Sequence, residues 1–199
     1  ISNSYTSGYA IDLDSSLGLA NLSNNVIMMS GTNAFGITIA GSKDIVSNNV
    51  VYLNSGSTGG IGIFVQSAGT SAAARQLVYA NTIQASENNT YGVFLTGANW
   101  VNISNNNIIV ANRGIYVDDT SANEFIYNNN VTVTNVSGAA IYMKGPGAST
   151  NDYIASNLFL SNSTSSKAGI FSTTSWRSNM MFVSNNFTSL YDTAVYYPT

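Results

Sequence analysis

The chain of 199 residues contains neither cysteine nor histidine. Without cysteine it can form no disulfide, no zinc–thiolate site and no thiol nucleophile. Without histidine it lacks the commonest general base and the commonest metal ligand at neutral pH. These two absences predict a protein that has no metal site and uses no cofactor.

Charge is also scarce, because only 8% of the residues are Asp, Glu, Lys or Arg, against roughly 25% in an ordinary globular protein. The six Lys and Arg residues are scattered, so no basic stripe can neutralise phosphates and nucleic-acid binding is not expected. No apolar run approaches the ~18 residues of a membrane span. Hydrophobic residues still make up 44% of the chain, which is enough for a core and is not typical of a disordered polypeptide.

An uncharged polar surface takes the place of charge, with 28 Asn, 28 Ser and 18 Thr residues. Such a surface is typical of proteins outside the cell, so we expect an extracellular or cell-surface location. The first residue, Ile1, indicates a mature product or an excised fragment. Asn-x-Ser/Thr sequences occur about as often as composition alone produces. These candidate N-glycosylation sites are Asn21, Asn88, Asn102, Asn130, Asn135, Asn162 and Asn186.

One pattern returns about every 27 residues: an asparagine, two or three apolar residues, a polar turn, and then Gly-apolar-x-apolar. A period of this size indicates a stacked architecture in which no single repeat can bury its apolar face alone. The asparagine of the pattern falls at Asn25, Asn49, Asn81, Asn107, Asn130, Asn157 and Asn186. The glycine, or an alanine in its place, falls at Ala10, Gly36, Gly62, Gly92, Gly114, Ala140, Gly169 and Ala194.

Each repeat contains two or three short strands bounded by Gly, Asn and Ser, and helical periodicity is almost absent. The sequence therefore predicts an all-β fold, a β-solenoid of about seven coils, in one domain over residues 10–199. Residues 1–9 are predicted to form an irregular N-terminal segment that acts as a donor or capping strand. Functional residues, if present, are expected in the longer turns between coils.

The asparagine turn followed by a segment such as Gly114-Ile115-Tyr116-Val117 resembles the right-handed parallel β-helix repeat family, the pectate-lyase-like solenoids. The resemblance covers the chain from about Ala10 to Tyr197 and implies a right-handed, single-stranded parallel β-helix. Members of this family include polysaccharide lyases and hydrolases, phage tailspikes, adhesins and repetitive surface proteins. The motif is therefore specific for the fold and unspecific for activity.

Strand alternation places both apolar residues of Gly-apolar-x-apolar in the core and the x residue on the outside. In the first two repeats the x residue is Asp12 and then Thr38, and in the next six it is aromatic. The aromatic ladder, as we call this column, consists of Phe64, Phe94, Tyr116, Tyr142, Phe171 and Tyr196.

Three interpretations of the aromatic ladder stay open. The rings can stack on one another and stabilise the coil pairing by about 0.5–1 kcal/mol per contact. Exposed rings would also form an apolar patch on the order of several hundred Å², which is large for a monomer. Such a patch favours a protein cover, namely a second subunit, a neighbouring domain or residues 1–9. Sugar rings stacked on the aromatic side chains are the third interpretation.

A polysaccharide lyase needs carboxylates that hold a cation and an Arg or Lys that acts as base, and a hydrolase needs converging carboxylates. The competing interpretation of the best cluster is a charged turn with a cross-coil Asp118–Lys144 pair, which contributes little at a surface. Whether the chain is an enzyme stays open, with polysaccharide lyase or glycoside hydrolase as the expected class if it is. The weak catalytic candidates are Asp118, Asp119, Arg113 and Lys144.

Low charge, the lack of histidine and the aromatic ladder together predict a non-catalytic extracellular structural or adhesive protein. In this hypothesis it is a self-assembling subunit or module of a surface filament, sheath or layer, and the ladder is its interface. Its partners would be further copies or neighbouring domains. The alternative is a carbohydrate-binding or polysaccharide-degrading β-helix, of the lyase or tailspike kind, in which glycans occupy the ladder.

Overall fold

The computed structural model shows a parallel β-solenoid of three sheets, which confirms the predicted all-β fold. The structure describes residues 2–3, 8–13, 19–54, 56, 58–66, 71–118, 120–144, 151–162, 168–173, 179–188 and 193–196. Within these ranges the one helical element is a single 3₁₀ turn, Ala72–Ala74. No helix in the described part of the chain has the length and apolar character to cross a membrane.

The strands fall into three sheets, which we name A, B and C. Sheet A contains β1 (Ser2–Asn3), β4 (Val26–Met29), β7 (Val50–Leu53), β10 (Thr82–Ala85), β13 (Asn107–Val110), β16 (Asn130–Val133), β19 (Leu158–Ser161) and β22 (Asn186–Thr188). Sheet B contains β2 (Gly8–Leu13), β5 (Ala34–Ile39), β8 (Ile61–Gln66), β11 (Tyr91–Thr96), β14 (Arg113–Val117), β17 (Ala139–Met143), β20 (Ala168–Ser172) and β23 (Val195–Tyr196). Sheet C contains β3 (Asn21–Ser23), β6 (Ile45–Ser47), β9 (Gln76–Tyr79), β12 (Val101–Ser104), β15 (Phe125–Tyr127), β18 (Tyr153–Ala155) and β21 (Met181–Val183).

Each coil passes through sheet C, then sheet A, then sheet B, before the chain returns to sheet C one level further along. Neighbouring strands within a sheet pair in parallel, as β11 does with β8 and with β14. The seven or eight strands per sheet agree with the prediction of about seven coils.

The N-terminal boundary lies earlier than the sequence predicts. Strand β1 pairs with β4, and β2 pairs with β5 from Gly8 onward. The solenoid therefore includes part of the segment that was predicted to be irregular. Residues 1 and 4–7 of that segment lie outside the described residues.

Inward-facing aliphatic side chains from all three sheets fill the interior. Ile63 and Val65 of β8 are completely buried, and Val93 and Leu95 occupy the same positions one coil along in β11. Because the coils stack in register, each inward residue faces its counterpart in the next coil, and the core is a set of aliphatic columns. Full burial of such a side chain stabilises the fold by roughly 1.5–3 kcal/mol.

A column of asparagines lies at the turn between sheets C and A. The sequence pattern placed three members one residue too late, at Asn107, Asn130 and Asn186, which are the first residues of β13, β16 and β22. Consecutive asparagines cause this error, since each satisfies the pattern and only the hydrogen bonds distinguish them. The asparagine column consists of Asn25, Asn49, Asn81, Asn106, Asn129, Asn157 and Asn185.

Asn106 illustrates how this column joins the coils. Its Oδ1 accepts the backbone N–H of Asn81 at 2.9 Å and the Nδ2 of Asn81 at 3.0 Å. Its Nδ2 donates to Asn129 Oδ1 and to the Val78 carbonyl oxygen, both at 2.9 Å. Asn106 is only 1% exposed, so these bonds satisfy groups that would otherwise be buried without partners.

The residue before each member of the asparagine column forms the tight turn. Its φ is 59° at Asn24 and 54° at Asn48, in the left-handed region. Alanine and serine adopt the same conformation in other coils, with φ of 55° at Ala80 and 53° at Ser156. The turn itself therefore tolerates several residue types, and the amide is needed one residue later, in the column.

The repeat needs glycine because there is no room for a side chain at this position. A Cβ on Gly62 would lie 2.6 Å from Ile83 Cγ2 and 2.7 Å from the Gly92 carbonyl oxygen, well inside van der Waals contact. The glycine position faces the core and the neighbouring coil, so a side chain there would displace both. Because the glycine faces inward, the residue before it faces outward.

Among the described residues, three acidic side chains are buried at the turn between sheets B and C. Asp44 Oδ1 accepts the backbone N–H of Ala20, and Glu124 Oε2 accepts that of Val101, each at 3.0 Å. Asp152 Oδ1 accepts the backbone N–H of Glu124 at 3.0 Å. These carboxyl groups therefore join successive coils. Sequence reasoning missed this role because only some repeats carry an acid at this turn.

Replacing Asn106 by Ala removes four side-chain hydrogen bonds and takes the acceptor from the buried backbone N–H of Asn81. We expect the free energy of unfolding to fall by about 3 kcal/mol or more, since each orphaned buried polar group costs about 1–3 kcal/mol. Urea unfolding followed by circular dichroism measures the change.

The matched control is Asn105→Ala, which alters the exposed turn residue at a position where another coil carries Ala80. This variant should lose less than about 1 kcal/mol. Equal losses in the two variants would contradict the role assigned to the buried amide.

Candidate binding site

The aromatic ladder lies on the outer face of sheet B. Ile115 and Val117, on either side of Tyr116, are completely buried, as strand alternation predicts. The predicted register is therefore confirmed, as is the outward orientation of the five rings whose side chains the structure describes, while the role of the ladder as an interface stays a prediction. The side chain of Tyr196 lies outside the described residues. Strand pairing aligns the ladder in the order Phe64, Phe94, Tyr116, Tyr142, Phe171 and Tyr196.

Successive rings of the ladder cover one another. The ring centroids of Phe94 and Tyr116 are 4.3 Å apart, those of Tyr116 and Tyr142 are 5.3 Å apart, and all three rings are stacked. The Tyr142 and Phe171 rings stack at 5.1 Å. Tyr116 is only 7% exposed as a result. Each pair contributes about 0.5–1.5 kcal/mol beyond its buried area, so part of the ladder stabilises the coil stack.

A second outer column of sheet B runs beside the ladder, and sequence reasoning missed it. Its rings meet the ladder, with centroids 5.5 Å apart for Phe35 and Phe64 and 5.1 Å apart for Tyr91 and Phe94. The signal was present in the sequence as an aromatic residue directly before the glycine. We call this the pre-glycine column, and it consists of Tyr9, Phe35, Ile61, Tyr91, Arg113 and Ala139.

Arg113 lies in the pre-glycine column among three tyrosine rings. Its guanidinium carbon is 3.9 Å from the ring centroid of Tyr142, 5.3 Å from that of Tyr116 and 5.5 Å from that of Tyr91. Its Nη1 donates to the Tyr91 hydroxyl at 3.1 Å. Cation–π attraction and this hydrogen bond together orient the guanidinium group on the surface of sheet B.

A cleft of about 330 Å³ opens next to Arg113. The pre-glycine column changes here from Arg113 to Ala139, and the loss of side-chain bulk leaves room beside Tyr142. Gly138 adds no bulk either. The volume is at the lower end of the range for small-molecule sites, about 300–1,000 Å³. Besides Gly138 and Ala139, the residues that line the cleft are Tyr142, Phe171, Asn89, Asn112, Ser137 and Arg113.

The candidate catalytic residues do not converge. Lys144 Nζ lies 3.6 Å from Asp118 Oδ1, which is the cross-coil pair that the competing interpretation expects. Arg113 is at the opposite end of β14 from Asp118, about 16 Å along an extended strand. Asp119 lies outside the described residues. Among the described residues, no group of three or more Asp or Glu side chains is placed to hold a metal ion.

The seven candidate glycosylation sites differ in accessibility. Asn102 is partly buried and its Nδ2 donates to the Tyr127 hydroxyl at 3.1 Å, so its amide is already engaged. Asn130 and Asn135 are also partly buried. The exposed candidates are Asn21, Asn88, Asn162 and Asn186.

Comparison with known proteins identifies no relative: no protein-family model, no curated protein and no solved structure matches this chain. The solenoid fold rests on the strand pairing described above. Membership of the pectate-lyase-like family stays a prediction from the sequence.

The pKa of Tyr116 is raised to about 12, mainly by burial and next by the negative charge of Asp118, which outweighs the lowering effect of the Arg113 charge. As the pH rises through 10, the tyrosine ionises in the unfolded chain but stays protonated in the folded protein. Tyr116 therefore contributes stability that is fully present below about pH 10 and is lost towards pH 12.

We expect the wild-type protein to lose about 1 kcal/mol more stability than Tyr116→Phe between pH 9 and pH 11, since one pKa unit corresponds to about 1.4 kcal/mol. Urea unfolding of both proteins at the two pH values measures the difference. Comparing the proteins removes the alkaline effects that they share. Parallel losses would show that Tyr116 titrates normally.

Proposed function

We propose that this protein is a non-catalytic extracellular adhesive module that binds glycans in the cleft of sheet B. The observation that carries the proposal is the combination of aromatic rings and amides in one cleft. The parts of the Tyr142 and Phe171 rings that line the cleft offer apolar surface to the C–H side of a pyranose ring. Asn112 and Ser137 offer hydrogen bonds to its hydroxyl groups. Apolar surface with a few placed polar groups is the usual composition of a small-molecule site.

The positions of the carboxyl groups support a protein that binds glycans and does not cleave them. Asp44, Glu124 and Asp152 are buried and accept backbone N–H groups between coils. Asp118 faces Lys144. None of these four lines the cleft, whereas glycoside cleavage needs a pair of carboxyl groups, or a carboxylate-bound cation, at the sugar. The extracellular location is supported by the uncharged Asn, Ser and Thr surface.

Replacing Tyr142 or Phe171 by Ala should weaken glycan binding at least tenfold, because each change removes apolar ring surface that lines the cleft. Affinity electrophoresis against uronate-containing, sulfated and neutral polysaccharides identifies the ligand and measures the loss. The matched control is Phe64→Ala, which removes a ring of the same ladder away from the cleft and should leave binding unchanged. No retardation by any polysaccharide, or equal losses in all three variants, would contradict the proposal.

Self-association through the aromatic face is a second candidate function. The observation that favours it is Tyr9, which stacks on Phe35 at 4.7 Å and is still 46% exposed. Together with the half-buried Phe64 ring, it presents an apolar strip at the end of sheet B that is remote from the cleft. Such a strip favours contact with a second copy.

Sedimentation velocity at increasing protein concentration tests this second candidate. Wild-type protein should shift towards larger species, and Tyr9→Ser should shift less because a hydroxyl replaces the exposed ring. The control is Met181→Ser, which changes an apolar residue on sheet C that is 56% exposed, somewhat more than Tyr9. A wild-type monomer at every concentration would rule out this candidate and leave glycan binding unaffected.

A further inference from the structure

The coil formed by β21, β22 and β23 exposes side chains that belong to the core. Phe182 faces inward in register with Ile154, yet Phe182 is 39% exposed while Ile154 is completely buried. Val195 is 37% exposed, and Ile170, its partner one coil earlier, is 1% exposed. The difference arises because a further coil covers Ile154 and Ile170, whereas no described strand covers Phe182 and Val195.

A depression of about 230 Å³ opens at this end of the solenoid. Its apolar lining comes from all three sheets, with Phe182 from sheet C, Phe187 from sheet A and Val195 from sheet B. The depression is therefore the open end of the core and not a groove in the outer surface. Such a surface is what one more coil would cover.

This coil also presents strand edges that no described strand pairs. In the described part of the chain, β22 pairs only with β19, and β23 pairs only with β20. The other edge of each strand offers N–H and C=O groups to a neighbour. A lipid or a small molecule covers apolar surface but pairs no strand edge, so the partner that fits both features is the end of another β-solenoid.

The N-terminal end of the same protein has the matching edge. Within the described ranges, β1 pairs only with β4, and β2 pairs only with β5. Ile11 and Leu13 of β2 face inward in register with two completely buried residues, Ile37 and Ile39, but are only partly buried themselves. This end therefore also has core side chains that a further coil would bury.

Strand direction decides which two ends fit together. All strands of a sheet run parallel, so an N-terminal end placed on a C-terminal end continues the parallel pairing, with β2 on β23 and β1 on β22. Two like ends with their cores in contact would instead meet with antiparallel strands. The pairing used throughout the solenoid therefore favours contact between unlike ends.

We propose that the C-terminal end of this solenoid docks on the N-terminal end of a second copy, so that the core and sheets A and B continue from one copy to the next. Sheet C has seven strands where the other sheets have eight, so the junction leaves an opening one strand wide in sheet C. A head-to-tail contact of this kind does not close on itself and produces a filament. The interface includes neither the cleft nor the apolar strip around Tyr9, so it is independent of both candidate functions.

The ladder column sets the register of the junction. It begins with Asp12 in β2 and reaches Tyr196 in β23. In a stack of two copies, Tyr196 of one copy therefore lies next to Asp12 of the other, with Cα atoms about 4.8 Å apart. This separation suits a disulfide bond. Because the chain has no cysteine of its own, introduced cysteines report on this contact alone.

A mixture of the Asp12→Cys and Tyr196→Cys variants should form a disulfide-linked heterodimer on mild oxidation, and neither variant alone should form a dimer. Non-reducing electrophoresis and mass spectrometry identify the linked pairs. Dimers of Tyr196→Cys alone, or no linkage in the mixture, would overturn the proposal. Linkage only within Asp12→Cys would also overturn it and would assign the contact to the strip around Tyr9.

Sedimentation velocity gives a second test without cysteines. Val195→Lys places a charge at the core-facing position of the junction and should weaken self-association at least tenfold, because docking would bury that charge. The matched control is Met181→Lys, which adds the same charge to the outer face of the same coil and should associate as the wild type does. Both positions are exposed in the monomer, so both variants should keep the wild-type circular dichroism spectrum.

Equal association of the two lysine variants, or a wild type that stays monomeric at every concentration, overturns the proposal. Neither Val195 nor Met181 lines the cleft of sheet B, so glycan binding should be unchanged in both variants. The proposed glycan binding therefore stands or falls separately from the docking of the two ends.

Discussion

The whole structure depends on hydrogen bonds that run along the solenoid from one coil to the next. In the sheets these are parallel backbone ladders, and at the turn between sheets C and A they are side-chain bonds of the asparagine column. Stacked turns bury N–H groups that no strand can pair, and an unpaired buried group costs more than a formed bond contributes. The amide of Asn106 solves this problem because its oxygen accepts two bonds and its nitrogen donates two. At the turn between sheets B and C, the buried carboxyl groups of Asp44, Glu124 and Asp152 likewise accept backbone N–H groups from a neighbouring coil.

These hydrogen bonds fix the register between coils, and the register determines which side chains lie next to one another on the surface. Equivalent residues of neighbouring coils lie about 4.8 Å apart, so a residue type that recurs at one position becomes a continuous column. Aliphatic columns fill the core, and aromatic columns cover sheet B. A binding site can arise where a column is interrupted. The pre-glycine column changes from Arg113 to Ala139 in this way, and the space that the smaller residue leaves is the cleft beside Tyr142.

In the proposed function the aromatic face therefore combines stability with recognition. Phe94 and Tyr116 are covered by their neighbours and belong to the fold. Tyr142 and Phe171 stack on each other and also line the cleft. Arg113 belongs to both parts of this surface. Three tyrosine rings stabilise its charge by cation–π attraction, and the same side chain lines the cleft. A surface built from stacked rings is rigid, and a rigid site loses little entropy when it binds a ligand.

The sequence by itself determined the coil and its outer face. The repeated Gly-apolar-x-apolar segment encodes which side chains enter the core, so the register of Phe64, Phe94 and Tyr116 followed from strand alternation alone. Only the tertiary structure decided which of several consecutive asparagines is buried, because Asn106 and Asn107 are chemically identical and differ in what the neighbouring coil presents to them. The tyrosine cluster around Arg113 and the cleft were likewise decided by the tertiary structure. Their side chains come from different coils, and no local pattern records a contact that exists only once the coils are stacked.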